Sequence, residues 1–179
     1  MSVLKSIHDW VQNTPPSLLL QKNEAWFVPT MQSIHIAGIG VVLACVLMMS
    51  LRVLGVAGGD RTVLQTQERF GPWLTGALWL LLATGLLIIL CEPRALVTFS
   101  FWLKMALVIV GALVAWAFQR SVRAHGAAWD ESLVQRRPVK AMAVFTLVIW
   151  VAIIFLGRFI AYDQIWGKLS PSAVVEANR

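Results

Sequence analysis

One ionisable side chain with versatile chemistry sits inside a long apolar run. Between Glu24 and Arg52 the chain reads AWFVPTMQSIHIAGIGVVLACVLMMSL, with no Asp, Glu, Lys or Arg. Within it His35 can donate or accept a hydrogen bond, carry a proton or ligate a metal. Gly38, three residues on, shares a helix face with it, and Gly40 follows. Small residues beside a histidine let a neighbouring helix, or something bulky, come close to the backbone. Three further groups fall at the ends of other apolar runs: Lys104, Arg158 and Tyr162. Such groups suit two kinds of ligand. His35 as an axial ligand, with Lys104 and Arg158 on the propionates, would suit a b-type haem. His35 and Tyr162 as hydrogen-bond partners of a carbonyl would suit a quinone arriving from lipid. An ionisable residue inside a span is a functional-site hypothesis by default, although lysine and arginine near span ends also snorkel to headgroups without further purpose.

The elements that position these groups follow from composition. Of 179 residues, 58% are hydrophobic and 13% charged, against about 25% charged in soluble domains. The chain is therefore expected to be an all-α membrane protein. A run of about 20 apolar residues crosses a bilayer core, and four are present, near 27–54, 73–91, 97–119 and 141–161. Short connections make consecutive spans antiparallel neighbours, so the expected fold is an antiparallel four-helix transmembrane bundle over 25–162. Residues 1–24 precede it. Val3, Leu4, Ile7, Trp10 and Val11 share one helical face, which points to an N-terminal amphipathic helix at the membrane interface, ended by Pro15-Pro16. Gly71-Pro72 is expected to open the second span, and 120–140 to form a polar, basic loop. A polar tail occupies 163–179. Gly111 and Ala115 make a small-xxx-small pair in the third span, a weak signal of close helix contact.

The net charge of +6 does not indicate nucleic acid, because the basic residues sit in loops between spans. Arg52, Arg61, Arg69, Arg120, Arg123, Arg136, Arg137 and Lys140 all fall in the first and third loops. The positive-inside rule places those loops in the cytoplasm and both termini outside; for a Gram-negative inner membrane, outside is the periplasm. Cys45 lies mid-span and Cys91 at a span end, so a disulfide between them is not expected. No CxxC, CxxCH, P-loop, GxSxG, HExxH or dinucleotide-binding motif occurs in a fitting context. His125 falls in a basic loop on the opposite side from His35; His8 is on the same side but must fold in to reach, and the remaining options are a five-coordinate haem or Met31 or Met105 as the other ligand.

Five segments carry a family likeness: Trp10-Val-Gln-Asn-Thr-Pro15, Ile34-His35-Ile36-Ala37-Gly38, Leu51-Arg52-Val53-Leu54-Gly55, Phe101-Trp102-Leu103-Lys104, and Gly157-Arg158-Phe159-Ile160-Ala161-Tyr162. Together they resemble a bacterial family of small four-span membrane proteins that share a domain of unknown function. The chain is more distantly similar to copper-resistance-type and cytochrome b-type four-helix membrane domains. That second likeness implies haem or a redox partner. The sequence departs from it in lacking a second histidine within a span. With so little mass outside the spans, no catalytic activity of its own is expected. The leading expectation is a small integral subunit that anchors or stabilises a larger redox or respiratory membrane complex, its partners being lipid and other membrane subunits. The alternatives are an electron-transfer protein holding haem b or quinone, and a small-solute or copper transporter. The absence of charges at mid-depth argues against the transporter.

Overall fold

The structure is a computed structural model that describes residues 2–131 and 137–160. The expected Tyr162 site, the tail 163–179 and part of the third loop lie outside these residues. All regular structure in the described residues is helical: α1 Ser2–Gln12, α2 Pro15–Gln21, α3 Glu24–Leu54, α4 Val63–Cys91, a 3-10 turn Pro93–Val97, α5 Phe99–Glu131 and α6 Arg137–Ile160. Four helices contain stretches long and apolar enough to cross a membrane: Glu24–Leu54, Val63–Cys91, Phe99–Gly126 and Val139–Arg158. The shortest of these has 20 residues, about 30 Å of helix and so one hydrocarbon thickness. α3 packs on α4 and on α6, and α5 closes the ring between α4 and α6.

Several elements depart from expectation for identifiable reasons. α1 ends at Gln12, just ahead of Pro15-Pro16 with Thr14 extended, as expected, but the two prolines also open α2, where a missing N–H costs nothing because first-turn amides have no intrahelical partner. α4 begins at Val63, ahead of Gly71-Pro72, with Pro72 inside it. Its start is set by a capping box. The Thr62 hydroxyl accepts from the Gln65 amide at 3.1 Å, and the Gln65 carboxamide accepts from the Thr62 amide at 3.0 Å. α5 runs on through Gln119 to Glu131, so much of the expected third loop is helix. The loop after α3 is closed by Gly55 at φ 79°, a left-handed cap, and by buried Arg52, whose Nε donates to the Arg61 carbonyl.

α2 packs against the end of α4 and the start of α3, and one side chain bonds it to the bundle. Ser17, fully buried, donates its hydroxyl to the Leu90 carbonyl at 2.5 Å, satisfying one of the last carbonyls of α4. Gln21 in turn donates to the Ser17 hydroxyl at 2.7 Å. The N-terminal segment is thus a two-helix cap across the bundle's end, while Ile7, Trp10, Leu18 and Leu19 remain exposed for the interfacial contact expected of them.

Packing is uneven along the bundle axis. Buried apolar residues concentrate in the half away from α1 and α2: Val42, Val46 and Val53 of α3, Leu74 of α4, Val122 of α5 and Trp150 of α6. In the other half little is buried. Gly38 is the sole buried position of α3 between Glu24 and Val41, and Thr84 that of α4 between Leu78 and Leu90. The helices are closely packed at one end and loosely covered at the other.

Gly111 and Ala115 are both buried where α5 meets α6. A Cβ at 111 would stand 3.1 Å from Cγ2 of Ile149, already tighter than an ordinary contact. Gly111→Leu is therefore expected to destabilise the bundle by about 1–3 kcal/mol, read as a lowered unfolding midpoint in detergent. Gly40→Leu, at an exposed position with nothing within 4 Å of a Cβ, should leave that midpoint unchanged.

Candidate functional site

The loosely packed half holds the span-embedded histidine and lysine. His35 faces α4, where its Nδ1 lies 2.7 Å from Oγ1 of Thr84. The Thr84 hydroxyl is itself 2.7 Å from the Leu80 carbonyl one turn back. A hydroxyl has one proton, and that proton goes to the carbonyl. This assigns Thr84 as the acceptor from His35 and Nδ1 as the protonated nitrogen. Nε2 is then the nitrogen left to accept a hydrogen bond or bind an electrophile when the ring is neutral.

Glycines shape both sides of this contact. A Cβ at position 38 would come within 3.0 Å of Leu81 Cδ2, so glycine there lets α3 approach α4 one turn from the His35–Thr84 pair. At Gly85 a Cβ would stand 3.5 Å from Cε1 of His35, which places the imidazole against the bare backbone beside Thr84. What approaches the histidine and its neighbouring glycine is thus helix α4. Gly40 faces outward.

Lys104 lies at the same end of the bundle, within electrostatic range of His35. Its ammonium rests over Gly157 of α6, where a Cβ would be 3.4 Å from Nζ. Among the described residues no carboxylate stands within ion-pair distance of it. His35 and Lys104 therefore bring a hydrogen-bond acceptor and a cationic donor to one level of a bundle that is only partly closed there. Arg158 is exposed on the last turn of α6, beside the glycine that receives Lys104. Tyr162 falls outside the described residues.

A bis-histidine haem does not fit these residues. His125 is exposed and lies 21 positions beyond Lys104 along α5, about 30 Å of helix. His8 lines a cleft with Cys91 at the end of α4, seven positions from Thr84 and so about 10 Å along the axis, too far to share one iron with His35. Among the described residues no group of three or more His, Cys, Asp or Glu side chains is placed to hold a metal ion. Cys45 and Cys91 are both free thiols.

Thr84 is the site residue that reasoning from sequence missed. Its signal was present: Thr84-Gly85 interrupts the run Leu80-Leu-Leu-Ala83 and Leu86-Leu-Ile-Ile-Leu90 with one hydroxyl and one missing side chain.

Four apolar spans around a partly closed polar centre define a multi-pass helical membrane protein. Within that class, a family model described as a family of unknown function, DUF6644, matches residues 18–163. The chain belongs to this family. Comparison with curated proteins and with solved structures gave no match, and the more distant likeness to copper-resistance-type and cytochrome b-type domains gains no support from it.

Thr84→Val keeps the shape of the side chain and removes the acceptor of the His35 Nδ1–H. The expected outcome is a loss of roughly 1–3 kcal/mol together with a mixture of imidazole tautomers, seen in the 15N spectrum of histidine-labelled protein. Thr84→Ser should restore the single Nδ1–H tautomer. An unchanged spectrum in Thr84→Val would refute the assignment.

Proposed function

We propose that this chain is a small integral subunit that anchors or stabilises a larger membrane complex of redox or respiratory type. The observation that carries this reading is the outward side of the spans. No more than 33% of the most apolar stretch of any span is buried within the bundle, so most of each helix is left for lipid or for another protein. Trp79 favours protein. It is 67% exposed near the middle of α4, and its indole N–H makes no hydrogen bond among the described residues. Tryptophan ordinarily sits at the interface belts, where its N–H meets water or headgroups. In mid-membrane a partner subunit can supply the acceptor that lipid tails lack.

The test is a photo-crosslinking amino acid at position 79 in the native membrane, combined with purification in mild detergent. A single protein adduct that recurs as a stoichiometric subunit of the purified complex is expected. Lipid adducts alone, with a chain that purifies as a stable monomer, would overturn the reading. The membrane we infer is a bacterial inner membrane with both termini on the periplasmic side; the eight basic residues of the first and third loops support this. A periplasm-dependent reporter fused after Arg179 should be active, and a cytoplasm-dependent one silent.

A second reading is favoured by the His35–Lys104 pairing: a quinone-type ligand that enters from lipid, donates from its reduced hydroxyl to Nε2 and accepts from the lysine when oxidised. Organic extraction of gently purified protein should then yield about one quinone per chain, lost in His35→Ala. Extracts free of quinone would remove this reading, and a haem absorption band lost in His35→Ala would replace it with the haem alternative.

A further inference from the structure

A cleft lies beyond the His35 site, where α1, α2, the start of α3 and the end of α4 meet. Its volume is about 390 Å³, within the range of small-molecule sites. Its polar walls come from separate elements: His8 from α1, Gln21 from α2, Glu24 from α3, and Cys91 and Glu92 from the end of α4. Val28, Pro29 and Pro93 add an apolar side.

Three features show what such a cleft recognises. Both carboxylates act on one point, since Glu24 and Glu92 are each within electrostatic range of the Cys91 thiol. The thiol itself is 3% exposed, unbonded to the rest of the described chain, and part of the cleft wall. The carboxamide of Gln21 is oriented by its donors: Nε2 is taken up by Ser17 at 2.7 Å and by the Gln12 carbonyl at 3.4 Å, which leaves Oε1 as an acceptor. His8 is held from its other side, with Nδ1 3.0 Å from the Asp9 carboxylate. The cleft is thus rich in acceptors and acidic, in a protein whose net charge is +6. A bare metal ion is not the occupant, because no three suitable ligands converge and the volume far exceeds an ion.

We propose that this cleft binds a small organic cation of the primary-ammonium class. The ammonium would donate to acceptors among the lining residues Glu24, Glu92 and Gln21, and the attached carbons would lie on the apolar side made by Val28, Pro29 and Pro93. Charge-assisted bonds of this kind are the stronger ones. Two sources offer the chemistry at this position: a soluble amine, and the ethanolamine headgroup of a membrane lipid, since the cleft lies at the end of the bundle where interfacial helices meet the spans.

The test uses the full chain in nanodiscs of phosphatidylcholine. Alkylation of Cys91 by N-ethylmaleimide is followed by peptide mass, with ethanolamine added to the buffer in one arm and phosphatidylethanolamine added to the disc in the other. Native mass spectrometry of retained lipid gives a readout that does not depend on thiol reactivity. Slowed alkylation with ethanolamine identifies a soluble-amine site. Slowed alkylation or selective lipid retention with phosphatidylethanolamine identifies a headgroup site. In either case Glu24→Gln/Glu92→Gln, both at exposed positions, should weaken binding by roughly tenfold or more with unchanged helix content. Wild-type protein that retains both lipids equally and is unprotected by ethanolamine would overturn the proposal. Protection or retention that persists undiminished in the double variant would overturn it as well.

Discussion

α3 and α4 pack tightly at Gly38, where a Cβ would stand 3.0 Å from Cδ2 of Leu81. The polar arrangement at that end of the bundle depends on this approach. His35 is one turn before Gly38 and Thr84 is three residues after Leu81, so the spacing that brings Gly38 onto Leu81 also brings imidazole to hydroxyl. A bulkier residue at 38 would have to displace the Leu81 side chain or push the helices apart, and helix separation would leave an N–H without a partner in a medium that offers no water. The 2.7 Å bond then fixes the tautomer, and the tautomer fixes which nitrogen can meet a ligand. A steric fact on one helix face thus determines the chemistry available on another.

Most other hydroxyls within the spans do something simpler. Thr30, Ser33, Thr75 and Thr146 each donate to the carbonyl four residues back on their own helix, the usual way a hydroxyl is satisfied in lipid. Thr84 makes that bond too, and then accepts a second from a different helix. Ser17 donates across 73 positions to the end of α4, and Ser50 across 93 positions to the Ala143 carbonyl of α6. These three hydroxyls tie elements together. Thr84 joins α3 to α4, Ser50 joins α3 to α6, and Ser17 bonds the N-terminal cap to the bundle beside the acidic cleft.

Much of this was legible in the sequence. The charge-free run from Ala25 to Leu51 and its three counterparts sufficed for four helical spans, because length and apolarity are what a bilayer selects. His35 and Lys104 could be placed at one end of the bundle by counting turns. Helix boundaries were harder. Gly71-Pro72 reads as a start, yet the capping box at Thr62 and Gln65 lies nine residues earlier and decides the matter. Pro15-Pro16 reads as a stop and is a start as well, since α1 ends just before it and α2 opens on it. In both cases proline marks a place without saying on which sides of it helix lies. Thr84 was hidden for a different reason: a threonine among leucines is ordinary until the helix facing it is known. The cleft was hidden more completely, since its walls come from four separate elements whose meeting is a matter of tertiary packing.

The uneven packing separates two tasks within a small chain. Residues such as Val42, Leu74, Val122 and Trp150 form a core in one half and hold the four helices together. The other half, with few buried positions, is free to keep a histidine, a lysine and a carboxylate-lined cleft partly accessible. A uniformly packed bundle would have to exclude these groups or bury them at high cost. Polar chemistry at this end is tolerable because most of the apolar core that holds the four helices together lies in the other half, and it stays partly accessible because the helices there remain loosely covered.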